Sequence, residues 1–127
     1  MTTPREVTEF FARYREALLA RDEKAIATMY AVPGLILFPG NALAVSKEKQ
    51  TEQFFASSWP QYEGVDDMTP SIDVLADAPA TVWADVTWSH DGVPRERMCY
   101  QLVESEGGYR IAVLTPMDAA TAGAAAD

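Results

Sequence analysis

The chain has 127 residues, of which 48% are hydrophobic and 23% charged, a size and composition that predict one globular domain with a single core. Nineteen acidic residues against ten basic ones give a net charge of −9, which argues against nucleic acid and anionic membranes as partners because both need a basic surface. A lone cysteine, Cys99, excludes an internal disulfide and a cysteine metal cluster, and the chain has no run of about 18 apolar residues to span a membrane.

The first helix is predicted from a capping signal followed by an apolar stripe. Thr3 provides the capping hydroxyl, Pro4 suits the first helical position, and Glu6 stands where a capping box needs it. After this signal the apolar residues recur with helical spacing: Val7, Phe10, Phe11, Tyr14, Ala17 and Leu18. This spacing predicts a helix with one buried face.

Two shorter helices are predicted to follow. Asp22 can cap a second helix that runs through Tyr30, and Ser46 can cap a third over residues 47–59. Their apolar faces are Ile26, Met29 and Tyr30 in the second helix, and Phe54, Phe55 and Trp59 in the third.

Strands are predicted on both sides of the third helix. Apolar runs at 35–38 and 43–45, separated by Pro39-Gly40-Asn41, predict a small hairpin. After a polar connector the hydrophobic period changes to two, which predicts four strands, over residues 71–77, 80–89, 94–105 and 109–115. Their turns are predicted at Ala78-Pro79, Asp91-Gly92 and Gly107-Gly108. We therefore expect one domain over residues 1–117 and a frayed alanine-rich tail over 118–127.

Two-residue turns fix which side chains share a face of the sheet. The face expected under the helices carries Ile72, Val74, Trp83, Asp85, Thr87, Met98, Tyr100, Leu102, Ile111 and Val113. The other face carries an apolar patch that predicts a homodimer interface: Val82, Val86, Trp88 and Leu114. A shift of one residue at any turn would invert these assignments.

The order helix, helix, two strands, helix, four strands resembles the nuclear transport factor 2-like superfamily over residues 3–117. The segments that carry the resemblance are FFARYREALLARDEKAIATMYA, LILFPGNALAVSKEKQTEQFF and GGYRIAVL. The resemblance implies an α+β, cone-shaped fold in which a strongly curved antiparallel sheet packs on three N-terminal helices and leaves a pocket at its open end. The superfamily includes ketosteroid isomerases, SnoaL-like cyclases, scytalone dehydratase, limonene epoxide hydrolase and non-catalytic binding or scaffold proteins, so the fold does not select a chemistry.

The chain has few of the residues that the superfamily's isomerases and dehydratases use for catalysis. Ketosteroid isomerase-like enzymes have a general-base aspartate directly before a proline, and the similar pair in this chain, Phe38-Pro39, lacks it. Tyr14 could still donate a hydrogen bond to a developing oxyanion. Scytalone dehydratase-like and SnoaL-like enzymes use a pocket histidine, whereas His90, the one histidine, lies at a predicted hairpin tip.

Limonene epoxide hydrolase-like enzymes activate water with two aspartates and an arginine. The chain has candidates on neighbouring predicted strands: Asp73, Asp85, Arg95 and Arg97. The predicted register places Asp85 toward the pocket and the other three away from it, so such a triad would need a bulge or a slip.

Asp85 is the leading candidate for a catalytic group, together with Tyr14. Among apolar neighbours, burial would raise the pKa of the Asp85 carboxyl and suit it to general acid or base catalysis. The alternative is a structural carboxylate that hydrogen-bonds a tyrosine or the backbone. A buried, unpaired Asp85 predicts that Asp85→Asn raises the melting temperature at pH 8. The predicted ligand-binding residues are Tyr14, Tyr30, Phe54, Trp59, Trp83, Asp85, Thr87, Met98 and Tyr100.

Three functions remain open from the residues. The first is a small-molecule binding domain with an apolar pocket and a buried carboxylate. The second is an isomerase, cyclase or hydratase-type enzyme that uses Asp85 as general base on a hydrophobic polycyclic or terpenoid-like substrate. The third is a non-catalytic dimeric interaction module. No cofactor or metal is expected, and the N-terminal sequence, which lacks a signal-peptide pattern, predicts a cytoplasmic location.

Overall fold

The computed structural model describes residues 4–38 and 40–118. Its helices are α1 (Arg5–Leu19), α2 (Glu23–Thr28) and α3 (Glu48–Ala56), and a 3₁₀ turn spans Trp59–Tyr62. Its strands are β1 (Tyr30–Phe38), β2 (Asn41–Val45), β3 (Thr69–Ala78), β4 (Thr81–His90), β5 (Val93–Ser105) and β6 (Gly108–Met117). The predicted cap Thr3, Pro39 of the first hairpin and the tail from 119 onward lie outside the described residues.

The six strands form one curved sheet in the order β2-β1-β6-β5-β4-β3. Neighbouring strands are antiparallel except β1 and β6, which are parallel. The predicted α+β class and element order are confirmed, but the sheet is mixed rather than purely antiparallel. The reason is that the β1–β2 hairpin joins the meander at its last strand, β6, instead of at its first.

The helices form where local signals predict them, with shorter ends. The apolar stripe of α1 is buried, and the Asp22 side chain caps α2 by accepting a 3.1 Å hydrogen bond from the backbone of Ala25. At α3 the N-cap residue is Lys47 rather than the predicted Ser46. The side-chain oxygen of Gln50 accepts hydrogen bonds from the backbone nitrogens of Ser46 and Lys47. Within residues 4–38 and 40–118, no helix is both long and apolar enough to cross a bilayer.

Turns and bulges together set the register of the sheet. The turn at Asp91-Gly92 is confirmed, and both residues have positive φ (53° and 79°), as a type I′ turn requires. Immediately after it, Trp88 pairs with Glu96, so that Arg95 has no opposite residue on β4. This β-bulge shifts every later pair of β4 and β5 by one residue. The other two turns lie one residue from their predicted positions, at Pro79-Ala80 and Glu106-Gly107.

The shift inverts the predicted faces of β4 and corrects the predicted interface. Val82, Val86 and Trp88 lie in the core under the helices, as does Leu114 of β6, so these four residues do not form an exposed patch. Trp83, Asp85, Thr87 and Val113 lie on the opposite, outer face instead. The inward assignments of Ile72, Val74, Met98, Tyr100, Leu102 and Ile111 hold, since these residues belong to the core or pack against it.

Candidate functional site

A cavity of about 270 Å³ lies between the helices and the inner face of the sheet. Its inner part is lined by Tyr14 of α1 and by Trp88, Tyr100 and Leu114 of the sheet, all of which are buried. Its other walls include Phe38, Phe54, Phe55, Tyr62 and Met98. Most of these side chains are aromatic or aliphatic, so the cavity suits an apolar molecule, and its volume lies at the small end of ligand pockets.

The buried tyrosines carry the polar groups of the inner cavity. Trp88 Nε1 donates a 3.0 Å hydrogen bond to the hydroxyl oxygen of Tyr100, and the hydroxyls of Tyr14 and Tyr30 lie 2.7 Å apart in a second hydrogen bond. Burial raises the pKa of Tyr14, Tyr30 and Tyr100 well above the ordinary tyrosine value. These hydroxyls therefore stay protonated at physiological pH and act as hydrogen-bond donors.

The hydrogen-bond count leaves donors available to a ligand. Tyr100 accepts from Trp88, and the described residues include no acceptor for its own proton. In the Tyr14–Tyr30 pair one hydroxyl donates to the other, which leaves one further proton. Tyr14 and Tyr100 both line the cavity with ring centroids 6.0 Å apart. A ligand oxygen beside Tyr100 would accept the proton that has no acceptor among the described residues.

Glu96 is the carboxylate of the cavity. It lies on β5 directly after the Arg95 bulge and lines both the cavity and a more open recess beyond it. Burial raises the pKa of the Glu96 carboxyl. Glu96 has no hydrogen-bond or ion-pair partner among the described residues. Glu96 was not predicted as a site residue, although its alternation with Met98 and Tyr100 on one strand is the signal that places it inward.

Arg21 fixes the wall that carries Tyr62. Its guanidinium donates to the backbone oxygens of Leu18 and Leu19 at the end of α1, and to those of Tyr62 and Val65 at 2.6 and 2.8 Å. It also lies 5.6 Å from the centre of the Tyr62 ring. Burial, and then the nearby Glu96 charge, raise the pKa of Tyr62. Arg21 thus ties the segment after the 3₁₀ turn to the helix end beside the cavity.

The predicted site residues divide into two groups. Tyr14, Phe54, Met98 and Tyr100 line the cavity. Tyr30 lies behind it and bonds to Tyr14, while Trp59 packs on the rings of Phe55 and Tyr62, at 6.2 and 5.6 Å. Trp83, Asp85 and Thr87 lie on the outer face, away from the cavity, which corrects their predicted position. The physical cause is the bulge at Arg95.

Asp85 is paired rather than isolated. Arg97 Nε and Nη2 donate hydrogen bonds to its carboxylate, at 3.0 Å to Oδ1 and 2.6 Å to Oδ2. Asp73 lies directly opposite Asp85 on β3. Two aspartates and an arginine therefore do share one face, as the hydrolase-like hypothesis required, but on the side of the sheet away from the cavity.

The remaining chemical candidates lie outside the cavity. His90, the last residue of β4, lines the open recess, and burial, followed by the Arg95 charge, lowers its pKa. Burial raises the pKa of the Cys99 thiol on the outer face, which disfavours the reactive thiolate. Among the described residues, no group of three or more His, Cys, Asp or Glu side chains could hold a metal ion.

Comparison with known proteins identifies the family and the fold. The family described as NTF2-like protein (DUF6841) matches residues 5–119. An NTF-2 like protein of unknown function from Shewanella oneidensis MR-1 has a TM-score of 0.70 at 11% identity, covering 89% of this chain and 97% of its own. Aln2 from a Streptomyces species has a TM-score of 0.65 at 18% identity, covering 98% and 99%. A cystatin-like domain of unknown function from Nostoc punctiforme has a TM-score of 0.64 at 13% identity, covering 91% and 78%. No curated protein matches the chain.

Proposed function

The chain belongs to the family of NTF2-like proteins (DUF6841), and we propose that it binds a compact apolar molecule with a hydrogen-bond-accepting oxygen inside its cavity. The observation that carries this proposal is Tyr100, a buried residue of the cavity lining whose hydroxyl accepts from Trp88 and has a proton without an acceptor in the described part of the chain. A buried donor without a partner costs about 1–3 kcal/mol. A ligand oxygen would remove that cost.

Binding of acetophenone and ethylbenzene tests the proposal. Both carry an aromatic ring of similar size, but only acetophenone has a carbonyl oxygen. We expect wild-type protein to bind acetophenone more tightly, and Tyr100→Phe to remove the difference while still binding ethylbenzene. Tyr109→Phe, which removes a hydroxyl outside this cavity, is the matched control. Equal affinity of the two probes for wild-type protein would contradict the proposal.

A second candidate is an enzyme that removes a proton next to a carbonyl group. The observation that favours it is Glu96, a carboxylate of raised pKa in the same cavity as Tyr14 and Tyr100. Glu96 would accept the proton from carbon, and the tyrosine hydroxyls would stabilise the enolate oxygen that forms. In this proposal Glu96 takes the role that the sequence suggested for Asp85, on a hydrophobic terpenoid-like or aromatic ketone.

Deuterium exchange distinguishes the enzyme from a binding protein. Acetophenone in D₂O should exchange its methyl protons faster with wild-type protein, as followed by NMR, and Glu96→Gln should abolish the acceleration while retaining binding. Binding of acetophenone without accelerated exchange would exclude the enzyme and leave ligand binding as the proposed function.

We also propose that the protein forms a homodimer through the outer face of its sheet. Four side chains lie in one row across β1, β6, β5 and β4: Leu35, Val113, Gln101 and Trp83. Three of the four are apolar, with Leu35 42% exposed and Trp83 36%, and exposed apolar side chains on one sheet face favour a partner. A twofold axis would place the same row of each copy together.

Sedimentation velocity tests the dimer. Wild-type protein should sediment as a dimer at micromolar concentration, and Trp83→Asp should shift it to monomer. Leu75→Asp, at an exposed residue of the bulge in edge strand β3, should leave the dimer intact. A monomeric wild-type protein would refute this interface.

A further inference from the structure

We propose that Glu96 selects ligands that carry a protonated amine at the end nearest the mouth of the cavity, by forming a direct ion pair with it. The inference rests on the proposed binding function and adds the chemical class of the ligand. Glu96 and Gln61 line both the cavity and the open recess, so the carboxylate lies where a bound molecule would reach toward solvent.

The arginines nearest to Glu96 are engaged or directed elsewhere. Arg97, the next residue, bonds to Asp85 on the outer face of the sheet. Arg95 lies exposed in the bulge and lines only the recess. Arg21 donates to backbone oxygens near Tyr62. The described residues therefore provide no cation that pairs with Glu96.

A partly buried carboxylate needs a partner of opposite charge. Removing a carboxylate from water without a partner is costly, and a cation that enters the same space offsets the cost by direct attraction. A neutral hydroxyl would provide one hydrogen bond but would leave the charge uncompensated. The ring of Tyr62 also lines the cavity, and aromatic faces attract ammonium groups.

The recess beyond the mouth favours cations over anions. Its described lining holds one arginine, Arg95, against five carboxylates: Glu63, Asp66, Asp67, Asp91 and Glu96. Asp67 is already paired with Arg15, and the exposed members contribute only a screened field. This field steers a cation toward the mouth, whereas Glu96 alone is in the cavity and can contact a bound amine.

The two ends of the cavity thus recognise two different groups. The inner end offers apolar walls to the body of the ligand and the Tyr100 proton to an acceptor oxygen that it carries, and the mouth presents a carboxylate to a donor. The predicted ligand class is a compact aromatic or alicyclic amine. This requirement concerns binding and not proton abstraction, so it can be tested with molecules that have no acidic proton on carbon.

The test compares 2-phenylethylamine with 2-phenylethanol by calorimetry at neutral pH. The two probes share ring and chain length and differ in the charged terminal group. We expect wild-type protein to bind the amine at least about tenfold more tightly, a difference of about 1.4 kcal/mol. Glu96→Gln should remove this preference and retain binding of the alcohol, which also shows that the variant is folded.

Glu63→Gln is the matched control, because it removes the same charge from an exposed position in the recess. It should retain most of the preference for the amine. The inference is overturned if wild-type protein binds both probes equally or if the preference for the amine survives in Glu96→Gln. It is also overturned if Glu63→Gln loses this preference as completely as Glu96→Gln does. Binding of acetophenone without any preference for the amine overturns this inference alone, whereas the absence of binding by all probes overturns the proposed function as well.

Discussion

The guanidinium of Arg97 bonds to both carboxylate oxygens of Asp85 on the outer face of the sheet, where the two side chains are only 12% and 15% exposed. Hydrogen bonding to Asp85 is the main cause that raises the pKa of Arg97. The pair gives Asp85 a structural role on a face that we propose as the dimer interface. It also explains why a carboxylate between Ala84 and Val86 is tolerated in the middle of a strand.

The ion pair reverses the expected effect of Asp85→Asn. A buried, unpaired carboxylate would have made the variant more stable at pH 8, but the observed carboxylate accepts hydrogen bonds from Arg97 at 3.0 and 2.6 Å, and the variant loses this ion pair. We expect Asp85→Asn to lower the melting temperature at pH 8. The double variant Asp85→Asn, Arg97→Met should lose less stability than the sum of the single changes. Additive effects in thermal unfolding would contradict direct pairing.

Removal of the Tyr100 hydroxyl should destabilise the core. In Tyr100→Phe the indole nitrogen of Trp88 keeps its proton but loses its acceptor inside the protein. The same change removes the Tyr100 proton that has no acceptor among the described residues, so urea denaturation should show only the net value of one hydrogen bond, about 0.5–1.5 kcal/mol. Tyr109→Phe, whose hydroxyl makes no such bond, should change stability by less than about 0.5 kcal/mol. Equal losses for the two variants would mean that the Trp88–Tyr100 bond contributes nothing.

The pH dependence of stability should reveal the raised pKa of the Glu96 carboxyl. Because burial raises its pKa above the ordinary 4.5 in the folded protein, the folded state holds the proton more tightly than the unfolded state. The free energy of unfolding should therefore fall as pH rises from the ordinary pKa through the raised one. Glu96→Gln should lack this fall and gain stability relative to wild type as the pH rises. Parallel curves for the two proteins, in urea denaturation across this range, would show that the carboxyl is not desolvated.

Arg21 permits a matched comparison of side-chain and backbone effects. Its φ of 55° lies in the left-handed region, which glycine adopts freely and alanine does not. Arg21→Gly and Arg21→Ala both lose the hydrogen bonds to Tyr62 and Val65, and Arg21→Ala, which keeps the backbone strain of wild type, should be less stable by about 2 kcal/mol. Alanine should cost about 1 kcal/mol more than glycine. If chemical denaturation shows Arg21→Ala as stable as wild type, the guanidinium does not hold this wall.

Local sequence signals predicted the elements well because they act within a few residues. The α1 stripe and the Asp22 cap depend on side chains three or four positions apart, and the Asp91-Gly92 turn depends on two adjacent residues. The end of α3 was less predictable. It stops at Ala56, and Trp59 starts a 3₁₀ turn instead, where Pro60 follows and restricts the residue before it.

The predicted register was wrong because the register depends on β-bulges, which the sequence of a turn does not reveal. One extra residue, Arg95, reverses which side of β4 faces the helices. The strand itself carried a better signal: Val82, Ala84, Val86 and Trp88 alternate with a more polar series. The alternation of apolar and polar residues within a strand therefore predicts its buried face more directly than a register counted outward from a turn.

Only some residues of the candidate site were predictable, because the face on which a strand residue lies depends on the register. Tyr14 lies on a helix whose inward face was assigned from its own periodicity, whereas Met98 and Tyr100 were assigned through the register; all three line the cavity. Asp85 was assigned through the register of its neighbours and lies outside. Glu96 follows from the alternation of β5, but its lack of a partner depends on where Arg95 and Arg97 point, which only the folded chain shows.

The infrared carbonyl stretch of bound acetophenone reports whether the Tyr100 hydroxyl donates a hydrogen bond to a ligand in the cavity. A hydrogen bond from the Tyr100 hydroxyl weakens the C=O bond, so the band should appear at lower frequency in wild-type protein than in Tyr100→Phe, with Tyr109→Phe matching wild type. The same frequency in wild-type protein and in Tyr100→Phe would show that the hydroxyl does not meet the ligand, and would contradict the assignment of the cavity as a site for an oxygen-bearing molecule.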